Sequence, residues 1–394
     1  MARNLEFYKG ERKKRNYAII PFVIVLGIIA VLVVLFYAMQ KYAVISKDGV
    51  EVVLPGMENP AAHQQLDSQG HEIRSFETVE TEIVFDPPDY SRVTATAGRY
   101  AEPIRAIYIA SEDLNRENLL EKAGRLNDGN ALLLEMKPRT GALNWASHAS
   151  LALSYGLYYD NEVTQSIPNW IQELKDMAEE QKKDIWLAAQ ISCCVDALLP
   201  SRSANFSLRT EYGADYMDET GIWLDPYNPE LRRYIVELAR ELYDMGFDEV
   251  VRADLMHPVP KTEEGRETPG FLYSAEMSTE PNPVTAVSGF ALYVADELKD
   301  RERRQMLSIY VNSARSLVAS DAGTGQDSTL FFKVYDRVYY NTDMYAFTYN
   351  LQDIEYAGAV TIGTPAARFV PVVINYLPKH DSWIYKEDLP PETE

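Results

Sequence analysis

The chain has 394 residues, a formal net charge of −21 and only two cysteines. So acidic a protein repels polyanions, which excludes nucleic acid as the main partner. Two adjacent cysteines, Cys193 and Cys194, exclude a disulfide-stapled scaffold and read as core thiols in the apolar run 187–195.

Residues 1–16 form a basic tail, expected in the cytoplasm. It holds six Lys or Arg and two Glu, a net of +4, which leaves −25 for the rest. Tyr17 to Met39 is an uncharged apolar run, YAIIPFVIVLGIIAVLVVLFYAM. About twenty such residues span a hydrocarbon core of roughly 30 Å. The run has no polar face and lacks the small-x-small end of a cleaved signal peptide, so it predicts a single transmembrane helix over 17–39. Arg12, Lys13, Lys14 and Arg15 precede it. By the positive-inside rule the N-terminus is cytoplasmic and the large remainder extracytoplasmic, held at the cell membrane.

Residues 40–99 read as an extracytoplasmic stalk or linker. Near its start, Lys47-Asp48-Gly49 lies between the β-prone stretches Val44-Ile45 and Val50 to Val53 and predicts a hairpin. From Pro55 to about Arg99 the chain is polar, broken by Glu58-Asn59-Pro60 and Asp86-Pro87-Pro88-Asp89.

From 100 to 380 the pattern alternates between strand and helix. Strands are predicted at 104–110, 131–137, 184–194, 247–255, 306–311, 344–349 and 369–375. Asn115 caps a helix bearing Leu119, Leu120, Ala123 and Leu126, and Pro168 opens a second with Ile171, Leu174 and Met177 on one face. Asn228 caps the clearest helix. Pro229 takes its first position, Leu231, Ile235, Leu238 and Leu242 form its stripe, and Gly246 ends it. A further helix is expected over about 283–300. Strands separated by helices pair in parallel through right-handed crossovers. Seven or eight such units predict an α/β fold, a (β/α)8 TIM-like barrel, with a doubly wound open sheet as the competing arrangement. No Gly-rich loop follows the first strand, which disfavours a nucleotide-binding sheet. An eighth strand is not evident; 359–362 is one candidate. Residues 381–394 read as an acidic C-terminal tail.

Barrel sites gather at the C-terminal ends of the strands. In the second strand Leu132, Leu134 and Met136 alternate with Leu133, Glu135 and Lys137, so Glu135 and Lys137 are expected at the barrel mouth. In the fourth, Val251, Ala253 and Leu255 alternate with Val250, Arg252 and Asp254. Taking the apolar set as helix-facing puts Arg252 and Asp254 at the mouth, with His257 just beyond. Asn312, Tyr349, Asn350 and Asn375 close other strands with groups suited to hydroxyls, and Trp223 offers a face for stacking on a sugar ring. The histidines are scattered with no metal-ligand spacing, no GxSxG is present, and no metal or cofactor is implied.

These residues resemble a known family. Gly221 to Glu230, read as GIWLDPYNPE, with the helix after it and Gly246-Phe247-Asp248-Glu249, is similar to the WLDPYNPE…GFDE block of the bacterial glycoside-hydrolase-like domain DUF4015. Leu126 through Gly141 is similar to that family's second-strand motif. Gly325-Gln326-Asp327 with Tyr335-Asp336-Arg337-Val338 is similar to a third. The resemblance covers about 103–378. It implies a membrane-anchored or secreted TIM barrel acting on a polysaccharide or cell-wall glycan. Two carboxylates would flank the glycosidic bond: Asp254 and Glu135, with Lys137, Arg252, His257, Asp225, Tyr349, Asn375 and Trp223 binding substrate. The chain also departs from the family. The family's fourth-strand Asp falls on Ala253, which leaves Asp254 displaced by one residue and nominally on the other face. A bulge would bring it back. Glu135 stands where the family has Asp, and Pro138-Arg139 replaces an acidic pair. A barrel that binds glycan without cutting it is the alternative. Oligomeric state is not legible.

Overall fold

The computed structural model describes residues 43–46, 49–52, 90–96, 102–126, 129–210, 212–259, 271–272, 283–302, 304–313, 316–317, 320–341, 368–373 and 381–386. The chain divides into two units, Met1–Val84 and Phe85–Glu394. In the first, Ala43–Ser46 pairs antiparallel with Gly49–Val52, Ser46 opposite Gly49, which is the hairpin the Asp-Gly turn predicts. The apolar run 17–39 lies outside the described residues. Among those described, no helix is long and apolar enough to cross a membrane.

The second unit is a closed eight-stranded parallel barrel. Its strands are β1 (Arg105–Ile109), β2 (Ala131–Lys137), β3 (Trp186–Ser192), β4 (Glu249–Ala253), β5 (Met306–Val311), β6 (Arg337–Asn341), β7 (Phe369–Val373) and β8 (Trp383–Tyr385). Each pairs with its successor, and β8 closes on β1 with Ile384 opposite Ala106. The competing open sheet is thereby excluded. Two strands differ from expectation. The sixth is Arg337–Asn341, whereas 344–349 lies outside the described residues. The eighth, Trp383–Tyr385, sits inside the segment read as an acidic tail; three residues are too few to show a period in sequence.

The helices on the outer wall are α1 (Arg116–Gly124), α2 (Glu162–Glu180), α3 (Pro229–Met245), α4 (Pro283–Glu297) and α5 (Ser328–Val334). Their caps are legible chemistry. Asn115 accepts from the Asn118 amide, and Asn228 from those of Glu230 and Leu231, with Gly246 ending α3 at φ +109°. Pro168 does not open α2. Asn161 and Thr164 form a reciprocal capping box at its start, and Pro168 lies inside the helix. Residues 90–96, read as the end of a stalk, pack on the barrel unit: the Tyr90 hydroxyl meets Ser288 Oγ at 2.7 Å, and Lys333 Nζ donates to the Tyr90 carbonyl at 2.8 Å.

The core has two shells. Leu132, Leu134 and Met136 of β2 join Ile171, Leu174, Ile235 and Leu238 between wall and helices. Leu133, Ala188, Val251, Ala253, Tyr310 and Tyr339 fill the barrel's inside. Burying each large apolar side chain contributes about 1.5–3 kcal/mol. This assignment inverts the expected phase of β4. Val251 and Ala253 point inward and Val250 outward, toward the space under the helices. Arg252 takes that space, fully buried, its guanidinium 4.5 Å from the centre of the Tyr335 ring.

Candidate active site

One open cleft of about 290 Å³ is lined by Tyr108, Glu135, Arg139, Gln190, Ala253, Asp254, Tyr310, Asn312 and Lys386. These residues lie at or just past the C-terminal ends of β1 to β5 and β8, the end where barrel chemistry is built.

Glu135 arrives by plain alternation. Leu133 and Glu135 share the inward face of β2, and a register shift against β3 follows between Glu135 and Lys137. Its Oε2 accepts from the Ser111 amide at 3.2 Å, its Oε1 from Gln190 Nε2 at 3.4 Å, and it also hydrogen-bonds Tyr108. Burial and the Glu135 charge push the Tyr108 phenol well above its ordinary range, so it stays a donor.

Asp254 arrives by a different device. As the residue after β4 it should face the helices, opposite in sense to Ala253. Instead its φ is +54°, in the left-handed region that Asp tolerates better than most residues. The turn folds the carboxylate back over Ala253 into the cleft, and Leu255 beyond it rejoins the outer core. The β3–β4 ladder continues through this turn, with the Cys193 and Cys194 amides donating to the carbonyls of Ala253 and Asp254 at 2.9 and 3.1 Å. Arg139 clamps the carboxylate with two parallel hydrogen bonds, Nη2 to Oδ1 at 2.7 Å and Nε to Oδ2 at 3.0 Å, and Ser192 Oγ adds a third at 2.8 Å. The hydrogen bond to Asp254 raises the Arg139 guanidinium above its usual range. Lys386 sits with its ammonium 5.3 Å from the Tyr108 ring centre, its pKa lowered by burial.

The family model described as "Putative glycosyl hydrolase domain" (DUF4015) matches residues 106–355. The chain belongs to this family. Solved structures similar to the DUF4015 barrel include a hypothetical protein from Ruminiclostridium thermocellum ATCC 27405, at 19% identity and TM-score 0.40, covering 52% of this chain and 96% of that one. A GH36 alpha-galactosidase from Geobacillus stearothermophilus aligns at 11% identity and TM-score 0.47, over 74% of this chain and 39% of its own length. The glycoside hydrolase domain of PelA from Pseudomonas aeruginosa aligns at 13% and 0.36, over 70% and 85%. These likenesses carry no argument about activity. A comparison with curated proteins found no match.

Of the residues chosen from sequence, Glu135, Asp254 and the strand-end Asn312 share the DUF4015 cleft, and the others described do not. Lys137 is fully buried beneath it, paired with Asp196 at 2.7 Å and donating to the Ser192 carbonyl at 2.9 Å. The shift after Glu135 diverts it. Arg252 lies outside the barrel wall, as above. His257 is buried with its amide donating to the Thr324 carbonyl at 2.8 Å, and burial drops its pKa to about 3. Trp223 is packed in the outer core. Asp225 accepts from the Tyr227 amide at 2.8 Å in the turn that leads into α3, so the specific WLDPYNPE block is a structural cap here. Tyr349 and Asn375 lie outside the described residues. Sequence reasoning missed Tyr108, Gln190, Tyr310, Arg139 and Lys386. The first three sit on inward faces that alternation could have flagged. Arg139 needed its partner Asp254 to be placed, and Lys386 needed the eighth strand. Among the described residues no cluster of His, Cys, Asp and Glu could hold a metal ion.

Proposed function

We propose that this chain is a membrane-anchored, extracytoplasmic glycoside hydrolase acting on a cell-surface or environmental polysaccharide. The observation that carries the reading is the pair Glu135 and Asp254 in one open cleft at the catalytic end of a glycosyl-hydrolase-family barrel. Their environments suit different tasks. Asp254 is 3% exposed and held by a guanidinium and a hydroxyl. A carboxylate held in place this way is the one assigned as nucleophile or base. Glu135, the second carboxyl of the cleft, takes the remaining role of proton donor. The apolar run 17–39 supplies the anchor and the basic tail its orientation. The test is release of reducing ends from wall glycans by the full chain, compared with Asp254→Asn and Glu135→Gln. Activity lost in both variants supports the assignment, and activity retained in either overturns it.

One observation favours a second reading, a glycan-binding barrel without catalysis. The family's Asp position is Ala253, which faces the cleft with no acid. Glycan binding by the wild-type chain, with no product from any glycan tested, would establish that reading instead.

A further inference from the structure

The cleft contains two polar atoms that a two-carboxylate mechanism leaves unused. Tyr310 on β5 and Gln190 on β3 flank β4, and both side chains line the cleft. They are 3% and 8% exposed, yet among the described residues the Tyr310 hydroxyl and Gln190 Oε1 have no hydrogen-bond partner. Buried polar atoms are ordinarily paired, since one that loses water and gains nothing destabilises the fold. The barrel interior just below shows how fully such groups can be paired here. The Tyr339 hydroxyl, from a ring 5.4 Å from that of Tyr310, donates to Glu249 at 2.8 Å. The two atoms also differ in kind. Gln190 Oε1 only accepts. Burial, with Glu135 and Asp254 nearby, keeps the Tyr310 phenol protonated, so it donates. A group that satisfies both must accept at one point and donate at another, which adjacent sugar hydroxyls do and acyl esters do not.

We infer that Tyr310 and Gln190 form a hydroxyl-reading floor of the cleft, and that the sugar unit it takes carries free, non-acylated hydroxyls at that face. Tyr310 O–H donates to one sugar oxygen and Gln190 Oε1 accepts from a sugar O–H. This inference rests on the glycan reading of the cleft and adds the substrate's class to it. A site built to pair a hydroxyl discriminates strongly against analogues lacking one.

The test is Tyr310→Phe in the full chain, which removes one oxygen and keeps the ring. Binding is measured to cellohexaose, β-1,4-galactohexaose, β-1,4-mannohexaose and chitohexaose, and to the O-acetylated form of whichever binds, alongside the melting temperature. The expected result is at least tenfold weaker binding of the free hexaose by the variant, weak binding of the acetylated form by both proteins, and a melting temperature unchanged or raised. Equal binding by variant and wild type overturns the inference while leaving the glycan reading intact. So does a lowered melting temperature, which would show the hydroxyl to be paired within the fold. Binding of none of the hexaoses by the wild type overturns both.

Discussion

The two ends of the barrel handle buried charge in opposite ways. At the N-terminal end Glu249 is fully buried, and both its oxygens are occupied. Ser308 Oγ and the Tyr339 hydroxyl donate to one, Trp186 Nε1 and Arg337 to the other, and Arg337 also reaches the Glu102 carbonyl at 2.7 Å. At the C-terminal end Arg139 is half in solvent and Asp254 sits on a left-handed turn. The acid and guanidinium at the first end are a plug that closes the barrel. Those at the second are exposed to whatever enters. The contrast separates a structural ion pair from a candidate site even though both join a carboxylate to a guanidinium.

That contrast is broken most directly by removing each acid. Glu249→Ala leaves the Arg337 guanidinium buried without its carboxylate, and should cost about 3–5 kcal/mol in urea unfolding. Asp254→Asn should cost only about 1 kcal/mol, because Arg139 can turn to water. Yet it should lower any glycan hydrolysis by about a hundredfold or more. Equal stability losses for the two variants would show that both pairs are structural.

Most of the barrel was legible because its strands and helices differ in period and its helix ends carry explicit caps. The second and fifth strands, 131–137 and 306–311, match their sequence limits. The site was harder to read, for a definable reason. Alternation identifies the two faces of a strand but not which is inside. In β4 the face carrying Arg252 proved to be the outer one, where that side chain finds an aromatic partner under the helices. Asp254 was found only because a local backbone reversal cancels that inversion, and a single dihedral of that kind has no sequence period. Lys386 was invisible for a topological reason, as it follows a three-residue strand.

The pH dependence of stability sharpens the comparison through a group near the open end. Burial holds His257 at about 3, against an ordinary value of 6.5. Above pH 6.5 neither folded nor unfolded chain protonates it, and it contributes no pH dependence. Between 6.5 and about 3 the unfolded chain binds a proton that the folded chain does not. Stability therefore falls as pH falls, by about 1.4 kcal/mol per unit from this group. His257→Gln should flatten that slope when unfolding is measured at pH 7, 6 and 5. An unchanged slope would mean that the imidazole titrates normally in the fold.

The smallest effect isolates the strain at Asp254. Both Asp254→Ala and Asp254→Gly remove the carboxylate and its three hydrogen bonds, so they share that loss. They differ in the backbone. At φ +54° an alanine Cβ crowds its own carbonyl, while glycine adopts the conformation freely. Against this, glycine widens the unfolded ensemble and gives back part of the gain. The balance should leave Asp254→Gly more stable than Asp254→Ala by about 1 kcal/mol, the reverse of their order at an ordinary strand end. If alanine is instead the more stable, the turn relaxes once the carboxylate is gone. It is then the grip of Arg139 and Ser192, and not the path of the chain, that points residue 254 into the cleft.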